Sequence, residues 1–157
     1  MEEEQNQHFL SLAGKTALLS NCKRRQIGAL IVRDGYILIS AANSSPPDVT
    51  PCNEGGCIRC NSTVPSGDGY DSCICIHAEQ LAIAKAAGAN LSITGGVMYV
   101  TLRPCLPCLN LCLHSGITRV IYSEEITFKN EVEIAYSQFL KATEFPLIKA
   151  NNFSSSH

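Results

Sequence analysis

Residues 77–108 run HAEQLAIAKAAGANLSITGGVMYVTLRPCLPC, and their reading decides the fold. After His77, the segment Ala78 to Ala87 is rich in strong helix formers and stops at Gly88, a residue suited to ending a helix. Val97-Met98-Tyr99-Val100-Thr101-Leu102 then reads as a buried strand. It runs into Pro104, which opens a second helical segment with Leu106, Leu109, Cys112 and Leu113 at helical spacing and Gly116 at its end. Helices and strands in alternation build an α/β layered sheet.

The two helix starts also carry the chemistry. His77, Cys105 and Cys108 are an imidazole and two thiols, the donor set that suits Zn²⁺, and three protein ligands leave a fourth tetrahedral position open, as in catalytic sites. Cys105 and Cys108 are three apart and share one helix face. A helix N-terminus favours thiolate over thiol, so two such termini facing one metal stabilise its anionic ligands. Glu79 is not needed as a ligand. Placed two residues after His77, it can take a proton from a zinc-activated water and hand it on to a reacting group. Taken singly, a Cys-x-x-Cys is more often a structural knuckle or a redox pair, and a His-x-Glu is close to noise. A purely structural zinc would want a fourth protein ligand, which the other cysteines can supply.

The chain has 157 residues, 45% hydrophobic and 17% charged, which predicts one folded domain over 1–157 with a sizeable core. No run approaches 18 apolar residues, and the chain opens on Glu2-Glu3-Glu4, so no membrane partner and a cytoplasmic location are expected. Nine cysteines, an odd number clustered beside a metal motif, fit reduced thiols better than a secreted disulfide framework. A net charge of −2 argues against polymeric nucleic acid and favours a small-molecule substrate.

Around the deciding stretch, Gln5 to Ser20 places Phe9, Leu12, Ala13, Thr16, Ala17 and Leu19 on a helical stripe, with Gly14 as its weak point. Gln26–Arg33 and Tyr36–Ala42, joined by Asp34-Gly35, read as a hairpin with a type I′ turn. Ile117 to Tyr122 is a further strand, Glu131 to Leu140 a last helix, and 146–150 a candidate fifth strand. The polar tail at 151–157 is expected to fray.

The insert at 44–75 is too rich in Pro, Gly, Ser and Asp, and too long, for an ordinary connection. It holds Cys52, Cys57 and Cys60, with Cys73 and Cys75 at its end. Gly55-Gly56 beside Cys57 and the Cys57-x-x-Cys60 spacing allow a tight knuckle, so a second, structural zinc is expected. Local spacing nominates Cys52, Cys57, Cys60 and Cys73 as its ligands.

His77-Ala-Glu79 followed by Pro104-Cys105-Leu-Pro-Cys108 resembles the signature of the zinc-dependent cytidine and deoxycytidylate deaminase superfamily. The resemblance spans about residues 20–123, through Cys22-Lys-Arg-Arg-Gln-Ile-Gly-Ala-Leu-Ile-Val, Pro51-Cys-Asn-Glu-Gly-Gly-Cys57 and Tyr70-Asp-Ser-Cys-Ile-Cys-Ile-His-Ala-Glu-Gln80, and points to the deoxycytidylate branch. It implies a three-layer α/β/α fold with a central mixed five-stranded sheet, one catalytic zinc on His77, Cys105 and Cys108, Glu79 as proton shuttle, and assembly as a homo-oligomer. Carried over, the ligands of the second zinc become Cys22, Cys52, Cys57 and Cys73. The choice between Cys22 and Cys60 stays open.

In that branch the second strand ends in a glycine-rich turn whose asparagine contacts substrate; here the segment is Ala41-Ala42-Asn43-Ser44-Ser45. Asn43 is kept as a substrate-facing amide, against a turn-capping role, while the missing glycines weaken the expectation of phosphate recognition. Arg24, Arg25, Arg59 and Arg103 are the available cations, each weighed against an ordinary surface or salt-bridge arginine, and Lys23 is weaker. The function expected is hydrolytic deamination of a cytosine nucleotide, dCMP to dUMP plus ammonia. Deamination of a nucleoside, free nucleobase or related aminated heterocycle is the alternative within the same chemistry. A non-catalytic zinc-stabilised binding module is the alternative from another class.

Overall fold

The computed structural model describes residues 1–151, so the tail expected at 151–157 lies outside the described residues from 152 onward. Helix α1 (Glu2–Ala17) precedes the hairpin of β1 (Gly28–Arg33) and β2 (Tyr36–Ala42). After the insert come α2 (Ala78–Gly88), β3 (Val97–Leu102), α3 (Leu106–His114), β4 (Arg119–Glu124), α4 (Asn130–Thr143) and β5 (Leu147–Lys149). The sheet order is β2-β1-β3-β4-β5, antiparallel on the hairpin side of β3 and parallel on the other, a mixed five-stranded sheet as expected.

Strand alternation divides the core into two layers. Leu30, Val32, Tyr99 and Ile121 point to one face and pack on Phe9, Leu10 and Ala13 of α1. Ala29, Ile31, Met98, Val100, Val120 and Tyr122 point to the other face, against Ala78, Ala82 and Ala86 of α2, Leu109 of α3 and Tyr136 of α4. Each Leu, Ile or Val buried to this extent contributes about 1.5–3 kcal/mol. The central pair β3 and β4 is covered on both sides, which is why both strands read as nearly continuous apolar runs.

The ends of α1 and β1 differ from the sequence expectation for visible reasons, and β4, α4 and β5 differ by one to three residues. Helix α1 starts at Glu2 and ends at Ala17, leaving Leu19 80% exposed instead of on the packed stripe. Three glutamates in its first turn suit the positive end of the helix dipole. Strand β1 begins at Gly28 because the Ile27 N–H is taken by the Asn43 side chain (2.8 Å). The Asp34-Gly35 turn has positive φ at both residues (52° and 79°), as a type I′ hairpin requires.

Gly28 fixes the seat of α1 on the sheet. A Cβ there would lie 2.0 Å from the Ala13 carbonyl oxygen and 2.6 Å from the Ala17 nitrogen, both backbone atoms. Gly28→Ala is expected to destabilise the fold by about 1–3 kcal/mol, a Tm loss of roughly 2–12 °C, measured by thermal denaturation. An unchanged Tm would show that α1 moves away without cost.

Candidate metal centre

The carboxyl end of β3 leads through Arg103 and Pro104 to Cys105, which caps the N-terminus of α3, while His77 caps the N-terminus of α2. Open α/β sheets place ligands at such strand ends. The His77 N–H donates to Gln80 Oε1 (3.1 Å), fixing the start of α2. The Tyr136 hydroxyl, buried, donates to the Pro104 carbonyl (2.9 Å) and braces the approach to Cys105.

The two helix starts bring three donor atoms together. His77 Nδ1 lies 3.3 Å from Cys108 Sγ and 3.5 Å from Cys105 Sγ, and all three ligand atoms fall within 4.8 Å of one another. Glu79, in the first turn of α2, is 4% exposed and sits beside this group. Burial first, and the Cys105 thiolate second, push its carboxyl up to about 7, opposed by its own backbone N–H and by His77.

The protonation pattern shows what the donors fit. The hydrogen bond with Cys108 brings Cys105 down to about 5, aided by His77 and against burial. Cys108 is driven far above the ordinary thiol range by its hydrogen bond with Cys105 and by burial. His77 is raised, foremost by its hydrogen bond with Cys105. By themselves these groups hold one thiolate and suppress the second. A divalent cation at the three donor atoms removes that conflict, and imidazole with two thiolates is a zinc donor set. Cys112, one turn further along α3, stays outside the group and packs in the core.

The expected substrate contacts fall into different environments. Asn43 is buried, its Oδ1 accepting from Ile27 N–H (2.8 Å) and its Nδ2 donating to the Arg25 carbonyl (2.7 Å), so the amide holds the backbone ahead of β1. One Nδ2 hydrogen remains after these two bonds. Arg24 donates to the carbonyls of Arg59, Cys60, Ser62 and Val64 at 2.6–3.2 Å, gathering the insert around one guanidinium. Arg103 pairs with both carboxylate oxygens of Glu133 (2.7 and 3.1 Å) and stacks 4.1 Å above the Tyr136 ring. Arg59 is buried, donates to the Asp68 carbonyl (3.0 Å) and lies 4.4 Å over the Tyr70 ring. Arg25 is exposed and enters no ion pair among the described residues.

The remaining cysteines meet in the insert. Cys22, Cys52, Cys60 and Cys75 form one group of sulfurs within 4.8 Å of one another, and Cys57, Cys60, Cys73 and Cys75 form another. Both four-residue sets read from the sequence are therefore divided. Of the carried-over set, Cys22 and Cys52 fall in the first group, and Cys57 and Cys73 in the second. Cys60 belongs to both, as does Cys75, which the sequence reading did not nominate. Its signal was present in Cys73-x-Cys75 just before His77. Against the upward push of burial, the backbone N–H groups of Cys60 and Ile74 bring Cys57 down to about 6, while burial and neighbouring sulfurs raise Cys60 and Cys75.

A family model of the cytidine and deoxycytidylate deaminase zinc-binding region matches residues 3–124, a span that includes His77, Glu79, Cys105, Cys108 and the whole insert. The chain belongs to this family. It is 36% identical over 115 residues to a deoxycytidylate deaminase of Schizosaccharomyces pombe, covering 73% of this chain and 35% of that protein. The chain thus spans about a third of that relative's length. A deoxycytidylate deaminase of Mycobacterium phage D29 is 34% identical over 125 residues, covering 76% of this chain and 94% of that one. The crystal structure of the dCMP deaminase of cyanophage S-TIM5, in complex with dCMP and dUMP, superposes with a TM-score of 0.71 at 25% identity, over 95% of this chain and 98% of that one. The α/β/α layering of this deaminase family is the fold observed here. Among the described residues no helix is long and apolar enough to cross a membrane.

Proposed function

We propose that this chain is a zinc-dependent hydrolytic deaminase that converts dCMP and water to dUMP and ammonia. The observation that carries the reading is the buried Glu79 carboxyl beside the three-donor group of His77, Cys105 and Cys108. A structural zinc knuckle has no use for an acid or base held out of water next to three ligands. The likeness to deoxycytidylate deaminases from a yeast and a phage supports the choice of substrate.

His77, Cys105 and Cys108 would hold the metal. When bound there, zinc supplies Lewis acidity that lowers the pKa of a water from about 15.7 toward 7. Glu79 takes a proton from the attacking water and delivers it to the pyrimidine ring nitrogen next to the amino-bearing carbon. It then transfers a second proton to the amino group, which leaves as ammonia while the ring keeps the water oxygen as its new carbonyl. The remaining Nδ2 hydrogen of Asn43 is directed to substrate. Arg25, adjoining Asn43 through its own carbonyl, is the cation for the 5′-phosphate, because Arg24, Arg59 and Arg103 are engaged within the protein.

Ammonia release by the zinc-loaded protein is expected to be fastest with dCMP among dCMP, CMP, deoxycytidine, cytidine, cytosine and guanine. Arg25→Ala is expected to raise KM for dCMP while leaving deoxycytidine unaffected. Preference for an unphosphorylated substrate would transfer the reading to a nucleoside or base deaminase, in keeping with Ala41-Ala42 where a glycine-rich turn would stand. Silence across the panel would favour a non-catalytic zinc module.

A further inference from the structure

The six cysteines of the insert region fall into two overlapping sets of four. Their two groups, Cys22-Cys52-Cys60-Cys75 and Cys57-Cys60-Cys73-Cys75, overlap in Cys60 and Cys75. Two tetrahedra that share an edge have six corners, so the two groups together supply every corner and leave no sulfur over. We propose that these six cysteines bind two zinc ions as a binuclear thiolate cluster, with Cys60 and Cys75 bridging the ions and Cys22, Cys52, Cys57 and Cys73 as terminal ligands.

The distances agree with this. A tetrahedron of sulfurs about 2.3 Å from zinc has edges of about 3.8 Å. Cys57 and Cys73 sulfurs are 3.8 Å apart and Cys60 and Cys73 sulfurs 3.7 Å, far longer than the roughly 2.05 Å of a disulfide. All six are free thiols.

Three of the four terminal sulfurs meet backbone N–H groups. The Lys23 N–H donates to Cys52 Sγ (3.4 Å), those of Arg24 and Arg25 point at Cys22, and those of Cys60 and Ile74 at Cys57. A terminal thiolate keeps lone pairs and charge that attract N–H donors, whereas a bridging thiolate spends them on two cations.

The packing also needs the metals. Buried Cys52, Cys57 and Cys60, with Cys22, Cys73 and Cys75 against them, form a core cluster containing no aliphatic or aromatic side chain. Six thiols bury too little apolar surface to offset about 1–2 kcal/mol of backbone entropy for each ordered residue of so long an insert. Two dications and six thiolates carry a net double negative charge, and Lys23, Arg24, Arg25 and Arg59 adjoin the cluster in sequence to offset it.

The cluster ties three segments to the candidate active site. Cys22 precedes the backbone held by Asn43, and Cys75 is followed by Ile76, which exchanges backbone hydrogen bonds with Ser44 (2.9 and 3.2 Å) immediately before His77. It sets the position of His77 and Asn43 without entering the reaction.

The test is metal analysis of the full chain, purified with zinc and reductant and without chelator, joined to zinc K-edge X-ray absorption. We expect about three zinc ions per chain in the wild type, about two in His77→Ala, and in both a zinc–zinc scattering distance of roughly 2.7–3.2 Å, the range open to edge-sharing tetrahedra with bonds near 2.3 Å. A wild-type value of two with no zinc–zinc vector would establish a mononuclear site and overturn the proposal. So would iron in place of zinc, or six thiols titrating freely in the metal-loaded protein. None of these readouts depends on deaminase activity, so this proposal and the assigned function fail separately.

Discussion

Replacing Glu79 with alanine is expected to lower kcat by a factor of about 10² to 10⁴ while zinc content and Tm stay near those of the wild type. The side chain lies 4% exposed in the first turn of α2, and the metal donors come from His77 before it and from α3 across from it. Truncation therefore removes a proton carrier and leaves the ligands in place. The buried carboxyl is held up by desolvation and by the Cys105 thiolate, so its loss also relieves a repulsion, which is why stability is not expected to fall much. Steady-state kinetics on dCMP with parallel metal analysis checks this. Turnover within tenfold of the wild type would remove Glu79 from the reaction, and a loss of zinc together with turnover would make it a scaffold for the site.

Cys108→Ser is expected to cost one zinc per chain and all measurable turnover. Cys108 is fully buried at the start of α3, close enough to His77 Nδ1 (3.3 Å) to share one ion with it. Without its sulfur, His77 and Cys105 are left as a hydrogen-bonded imidazole and thiolate that satisfy each other's charge and no longer need a cation. A serine hydroxyl at that position is too weakly acidic to replace a thiolate on zinc. Metal analysis and ammonia release on the same sample check the result, with circular dichroism confirming that the sheet survives. A variant with the wild-type zinc count and full activity would show that the ion uses other donors. The rest of the fold is expected to persist, because both core layers are apolar and independent of this ion.

Tyr136 shows where sequence reading stops. Nothing in its neighbourhood marks it, yet its hydroxyl supports Pro104 from a helix that comes after β4 in the chain. The arginines make the same point. Arg24 and Arg103 read as available cations, and packing commits one to four carbonyls of the insert and the other to Glu133. Asn43 reads from sequence as a substrate contact or a turn cap, and its two observed hydrogen bonds go to the backbone of Arg25 and Ile27.

By itself the sequence determined the two helix starts that carry His77, Glu79, Cys105 and Cys108, the buried strands β3 and β4, and the Asp34-Gly35 hairpin. These depend on helix and strand periodicity, turn stereochemistry and donor spacing, all of which act within a few residues. Only the tertiary structure decided which sulfurs of the insert come together, that Cys60 and Cys75 belong to both groups, and which polar side chains are engaged by the backbone. Those sulfurs lie on segments separated by a hairpin and a long insert. Their distances are set by how the chain closes on itself and packs, which no local spacing encodes.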